Sequence, residues 1–352
     1  MSYRVRARHF LGLLAAAVLA GGCSGGTPPA TSSALDQRIA GTNSLGLVPV
    51  RHFNRRASWM LPDAKKQWLL YVSDGASGTV DVYDYRSKAG KLYGQITGLT
   101  FPYGQCVDSG GNIYVVDNDT GRIYEFAHGG TTPVATVTDN FGFPTGCSVN
   151  PKNGDMAIAN FANFASGGGG LVIASGGLTG KQANYEDPAL YRAFPPGYDP
   201  SGNLFVQGTD YSGVPSFLEL PAGKKKFKPL NGLAVGFPGS VGWDGKYLTA
   251  TDQNYQFNYT TMIYRITVSG GEVRIVRKTD LTDTCYPYHN WMVAIQPFVT
   301  GVGDKQNVVV AGNLNCPNRE NYFSYTKGGN PTRSIDPSIA PKAPYGQVVS
   351  PP

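Results

Sequence analysis

One short phrase recurs along the chain, and each copy opens the same pattern. Phe101-Pro102-Tyr103-Gly104, Phe143-Pro144-Thr145-Gly146, Phe194-Pro195-Pro196-Gly197 and Phe237-Pro238-Gly239 each lead into a short apolar run. Each run ends in a polar turn: Asp108-Ser109-Gly110-Gly111, Asn150 to Gly154, Asp199-Pro200-Ser201-Gly202 or Asp244-Gly245. A second apolar run then follows. The phrases begin 42, 51 and 43 residues apart. Short runs separated by turn residues at that period predict stacked four-stranded units.

The second run of each unit is the clearest strand. There are six: Leu69–Val72, Ile113–Val116, Met156–Ala159, Leu204–Val206, Tyr247–Ala250 and Val308–Ala311. A polar loop, a third strand such as Arg122–Phe126 and a fourth such as Pro133–Val137 complete the unit. Four strands per unit and six units predict an all-β, six-bladed β-propeller over residues 46–352. The first unit begins at its second strand. The chain ends on Ala343-Pro344-Tyr345-Gly346-Gln347-Val348-Val349, an opening phrase and a first strand with nothing after them. The C-terminal strand is therefore expected to complete the first blade and close the ring through main-chain hydrogen bonds, which leaves no unfinished blade. Residues 46–67 carry no clear strand signal and are expected at the ring's edge.

The N-terminus reads as a targeting segment. Arg4, Arg6 and Arg8 precede an apolar stretch, Phe10 to Ala20, that is too short to span a bilayer as a helix. Ala20-Gly21-Gly22-Cys23 then predicts a lipoprotein signal over residues 1–22 with lipidation at Cys23. An ordinary secretory signal is the alternative. Residues 23–45 are rich in Gly, Pro, Ser, Thr and Ala and read as a tether. The expected location is the bacterial cell envelope, on an outer or cytoplasmic membrane, with the chain anchored through lipid. Charged residues make up only 15%, against 46 Gly and 21 Tyr, which suits turns and aromatic strands. Without the three signal arginines, 27 Lys and Arg face 24 Asp and Glu, a balance of +3. That charge and the lack of a basic stripe argue against nucleic acid. Lys224, Lys225, Lys226 and Lys228 read as a solvated hairpin tip. A monomer is expected.

Strand order places the opening phrases and the loops after each second strand on one face. That face gathers Tyr103, Asp117, Asn118, Asn160, Asp210, Asp252 and Asn313. Taken singly, the Asp and Asn residues could simply end strands through side-chain turns. Taken together, they mark a ligand-binding face, since propellers bind where polar loops ring the channel. A fifth phrase, Tyr286-Pro287-Tyr288-His289, carries histidine where the others carry glycine, with Asn290–Ala294 as its strand. Tyr288 and His289 are thus expected near the channel mouth. There the histidine could serve as proton carrier, metal ligand or structural donor. No second histidine has a comparable place, which argues against a histidine metal cluster.

Four cysteines remain after Cys23, an even number for an exported protein. Cys106 and Cys147 lie one position out of step on the innermost strands of neighbouring blades, and alternate residues of a strand point to opposite sides. The register pairs Cys106 with Cys147, and Cys285 with Cys316. Free buried thiols are the alternative.

Phe101 to Asp108, Gly111 to Asp117 and Gly121-Arg122-Ile123-Tyr124 together resemble an NHL-type propeller repeat. The span 68–350 is similar to a group of bacterial lipoproteins with NHL-like or lactonase-like six-bladed propellers. The gluconolactonase and regucalcin-like family shares this ring, and that resemblance implies a divalent metal held by Glu, Asn and Asp at the channel. The positions matching two of its ligands are Tyr103, Thr145, Pro196, Pro238, Tyr288 and Tyr345, and none offers a carboxylate to a hard cation. No cofactor is therefore expected. The favoured expectation is a non-catalytic propeller that binds a protein, glycan or small ligand. The alternative is a metal-assisted hydrolase or lactonase, with a cation such as Ca2+, that uses Asp117, Asn160, Asp252 and His289.

Overall fold

The computed structural model describes residues 57–88, 90–163, 165, 167–255, 260–283, 296–299, 308–314, 316 and 318–352. Six antiparallel sheets form the blades of an all-β propeller with almost no helix. Blade 2 shows why the sequence folds this way. Its strands are Pro102–Val107, Ile113–Asp117, Arg122–Phe126 and Pro133–Thr138. Ile113–Asp117 is buried at every position, so it reads as a continuous apolar run. The outermost strand, Pro133–Thr138, has no blade beyond it and is mostly exposed.

The core is a series of layers between blades rather than a single centre. Tyr71, Val80 and Val82 of blade 1 pack on Ile113, Val115 and Phe126 of blade 2. Ala157 and Leu171 of blade 3 meet Leu204, Val206 and Leu218 of blade 4. Phe205 and Phe217 of blade 4 meet Val241, Ala250 and Met262 of blade 5. Between blades 2 and 3 the link is also covalent. Cys106 and Cys147 form a disulfide with Cα atoms 5.4 Å apart, as the register predicted. Cys316 is disulfide-bonded too. Cys285, its expected partner, lies outside the described residues.

The last strand closes the ring. Pro344–Ser350 pairs antiparallel with Leu69–Asp74, in register from Leu69 opposite Ser350 to Val72 opposite Gln347, with a shift before Asp74 opposite Pro344. Residues 57–67 add a fifth, outermost strand to this blade, where Trp59 and Met60 pair with Gln95 and Gly94. Two residues are too few to leave an alternating pattern in the sequence.

Two elements depart from the repeat. In blade 4 the phrase interrupts the inner strand instead of opening it. Arg192–Ala193 and Gly197–Tyr198 both pair with Leu204–Thr209, and the prolines between them have no N–H to give. In blade 6 the inner strand seen pairing with Val308–Gly312 is Phe298–Val299, later than expected. Asn290–Ala294 lies outside the described residues.

The closing seam between blades 6 and 1 buries acids. Asp81 accepts from Gln95 Nε2 at 2.8 Å and Thr79 Oγ1 at 3.2 Å. Tyr83 donates to Ile339 O at 2.6 Å. Burial pushes the Asp81 carboxyl from 3.8 up to about 6, and the Asp74 charge adds to the shift against the pull of its hydrogen bonds. Glu320 is fully buried with no partner for either oxygen, so desolvation holds its carboxyl well above the usual range.

Two predictions follow from closure. The Cys106–Cys147 link spans 41 residues, and removing a loop of that size costs about 3–4 kcal/mol. Cys106→Ala with Cys147→Ala should show that loss in denaturant unfolding. A carboxyl raised in the folded state supports folding below its unfolded value of 3.8, and that support is lost as pH rises through about 6. Asp81→Asn should therefore lose less thermal stability than wild type between pH 4 and pH 7. Equal slopes would contradict this assignment.

Candidate functional site

The phrases shape the channel face because proline cannot complete the ladder there. Pro102 lies opposite Asp117, Pro238 opposite Asp252 and Pro344 opposite Asp74. A register shift follows each proline. The two N–H groups before the proline turn inward and are taken by the facing carboxylate. Asp117 accepts from Thr100 N at 2.7 Å and Phe101 N at 2.9 Å. Asp252 accepts from Gly236 N at 3.0 Å and Phe237 N at 3.1 Å. Asp74 accepts from Lys342 N and Ala343 N, both at 3.0 Å, so the same clamp fastens the closing strand.

Blade 3 relays the clamp. Asn160 faces Pro144, and its amide donates to Asp139 Oδ2 at 2.8 Å while Asp139 Oδ1 takes Phe141 N at 2.8 Å. Burial raises the Asp139 carboxyl. In blade 6, Asn313 and Asn321 both donate to Asp283 Oδ2. Asn118 donates to Pro144 O at 3.0 Å and so ties blade 2 to blade 3.

Asp117, Asn118, Asn160, Asp252 and Asn313 are thus buried, and each spends polar atoms on structure. They are spread over four blades. Among the described residues, no three His, Cys, Asp or Glu side chains are grouped to hold a metal ion. Tyr103 is also fully buried. Its ring packs 4.7 Å from Tyr345 and 5.8 Å from Phe101, and its hydroxyl has no hydrogen-bond partner. Desolvation raises that phenol far above its ordinary value. Asp210 is half-buried at a turn, where it accepts from Val214 N at 2.9 Å. Tyr288 and His289 lie outside the described residues.

Neighbouring inner strands run in close contact where the phrase glycines lie. A Cβ at Gly104 would lie 2.2 Å from Thr145 O and 2.6 Å from Gly146 Cα, and one at Gly346 would lie 2.6 Å from Tyr103 O. Only glycine allows that approach. Gln296 reaches in and grips the Gln105 backbone, accepting from its N at 2.8 Å and donating to its O at 2.6 Å. Glutamines then stitch blades together: Gln105 donates to Gly346 O, Gln347 to Val310 O and Gln207 to Thr251 O. The repeated Tyr-Gly-Gln of residues 103–105 and 345–347 was the sequence signal for this role.

Exposed chemistry on the phrase face collects at blades 3 and 4. Tyr211 is 80% exposed, and its ring sits edge-on to Tyr191 at 5.0 Å. The Arg192 guanidinium lies 5.0 Å over Phe161. A cleft of about 280 Å³ beside them is lined by Gly168, Gly169, Glu186, Asp187, Pro188 and Tyr191. Gly169 is required here, because a Cβ would come within 2.4 Å of Asn160 O. Sequence patterning hid this patch, since its residues come from three separate loops.

The clamp yields a prediction. Asp117→Ala would strand two backbone N–H groups in the interior, each bonded at present to a charged acceptor. The expected loss is about 3 kcal/mol or more in urea unfolding. Asp210→Ala, at a half-buried surface turn, should cost less than about 1 kcal/mol.

No protein-family model matches the chain, and no curated protein matches it. Solved structures do resemble it. A chain of a nidogen/laminin complex aligns with TM-score 0.60 at 14% identity, covering 80% of this chain and 98% of that one. A protein of unknown function from Bacteroides caccae aligns with TM-score 0.56 at 11% identity, covering 81% and 99%. At such identities the likeness speaks for fold alone. The chain has the fold of an NHL-like six-bladed β-propeller.

Proposed function

We propose that this propeller binds a ligand on its phrase face without turning it over. The observation that carries the reading is the fate of the carboxylates. Those of Asp74, Asp117 and Asp252 each hold two backbone N–H groups, which leaves them poorly placed for acid–base work or for a hard cation. What the face offers to solvent is aromatic and adaptable: Tyr191, Tyr211 and the cleft beside them, with Tyr288 and His289 as further candidates from the sequence. Exposed tyrosines supply contact area at low entropic cost and suit a protein, glycan or small ligand. The chain of the nidogen/laminin complex has the same fold and comes from a protein–protein assembly.

We further propose export and attachment to the cell envelope through lipid at Cys23. The support is the signal-like residues 1–22 and the small residues before that cysteine. Metabolic labelling with a palmitate analogue should mark the wild-type chain and not Cys23→Ser.

Immobilised full chain should retain an envelope component that Tyr191→Ala with Tyr211→Ala retains at least about ten-fold less, at unchanged thermal stability. Equal retention would remove this patch from the site. A saturable rise in melting temperature with Ca2+, abolished by chelator, would instead favour the metal-assisted hydrolase.

A further inference from the structure

The turns opposite the phrase face carry a second surface. Strand order brings the turns between first and second strands, and between third and fourth strands, to this side of the ring. Blade 1 contributes Arg86, Lys88 and Lys91, all exposed. Blade 3 contributes Lys152 and Lys181, also exposed. Blade 4 contributes the hairpin with Lys224, Lys225, Lys226 and Lys228, each exposed. Lys246 of blade 5 and Lys327 of blade 6 continue the belt. Lys65 and Lys66 extend it over blade 2, where Lys65 packs beside Gly129.

The acids on this face sit lower than the cations. Asp108 takes Gly110 N and Asn112 N, and Asp199 takes Asn203 N, all at 2.9 Å. Asp244 is buried and paired with Arg265 at 2.6 Å. Only Asp63 and Glu272 are exposed among the described acids of these turns. The outer layer of the face, over the described residues, is therefore positive well beyond its share of the chain's formal charge of +6.

We propose that this face docks on a bilayer of anionic lipid. Two features favour lipid headgroups over nucleic acid. The belt is almost wholly lysine, a compact point charge suited to diffuse headgroup phosphates, whereas bidentate recognition of phosphate and base favours arginine. The cations also lie at turns around a ring rather than along a groove with interleaved aromatics. Docking by this face leaves the phrase face, on the other side of the ring, open to ligand. The inference draws on the proposed function only for placing a membrane near the chain; the charge distribution is independent of it.

The test is co-sedimentation of the full chain carrying Cys23→Ser, so that no lipid is attached, with vesicles of phosphatidylcholine alone or with about 30% phosphatidylglycerol. Partition should be at least about ten-fold higher on the anionic vesicles and should fall steeply between about 50 and about 500 mM salt. Lys224→Gln, Lys225→Gln, Lys226→Gln and Lys228→Gln together should reduce it at least about ten-fold. Arg122→Gln with Lys342→Gln, on the phrase face, should leave it unchanged. Equal partition on neutral vesicles, or no effect of the four lysine changes, would overturn the proposal. Tighter retention on a soluble polyanion such as heparin than on the vesicles would overturn the assignment to lipid. Palmitate labelling and ligand retention by the phrase face are read separately, so either can fail without the other.

Discussion

The fold depends on how the inner strands of blades 1, 2 and 5 begin. A proline starts the strand near the axis, gives no N–H, and leaves the two preceding N–H groups without ladder partners. An unpaired buried N–H costs as much as a lost hydrogen bond or more, so the chain must supply an acceptor. It supplies a carboxylate from the end of the neighbouring strand. Asp117 and Asp252 do this inside their blades, and Asp74 does it across the gap between the two ends of the propeller. The clamp that shapes blades 2 and 5 thus also closes the ring.

This constraint decides what the channel face can do. Sequence order alone gathers Asp and Asn residues there and suggests a polar site. The geometry assigns most of them to backbone, with a relay through Asp139 where asparagine replaces the carboxylate in blade 3. Recognition then falls to groups outside the clamp, the exposed Tyr211, the half-buried Tyr191 beside it and their cleft. A scaffold held by its own carboxylates and decorated by exposed aromatics suits binding better than turnover.

Much of the architecture was legible because its signals are local. The phrase, the turn and the continuous apolar second strand repeat within one blade, so the count of blades and the latch at Pro344–Ser350 followed from pattern. The Cys106–Cys147 pair followed from register on neighbouring strands. What stayed hidden is collective. Whether Asp117 faces solvent or two N–H groups depends on a shift in register after Pro102, which apolar periodicity does not encode. The lysine belt is assembled from alternate turns of successive blades, so along the chain its members look like scattered solvated residues. Blade 4 differs for a local reason: two consecutive prolines, Pro195 and Pro196, break the inner strand that one proline opens elsewhere.

Hydrogen exchange tests the central claim most directly. The amides of Thr100, Phe101, Gly236, Phe237, Lys342 and Ala343 lie outside strands, yet each donates to a buried carboxylate. The account predicts that they exchange as slowly as the amides of Ile113–Asp117, and that Asp74→Ala releases Lys342 and Ala343 selectively. Exchange at loop rates in the wild-type chain would contradict it, and would return those carboxylates to the list of groups available for chemistry.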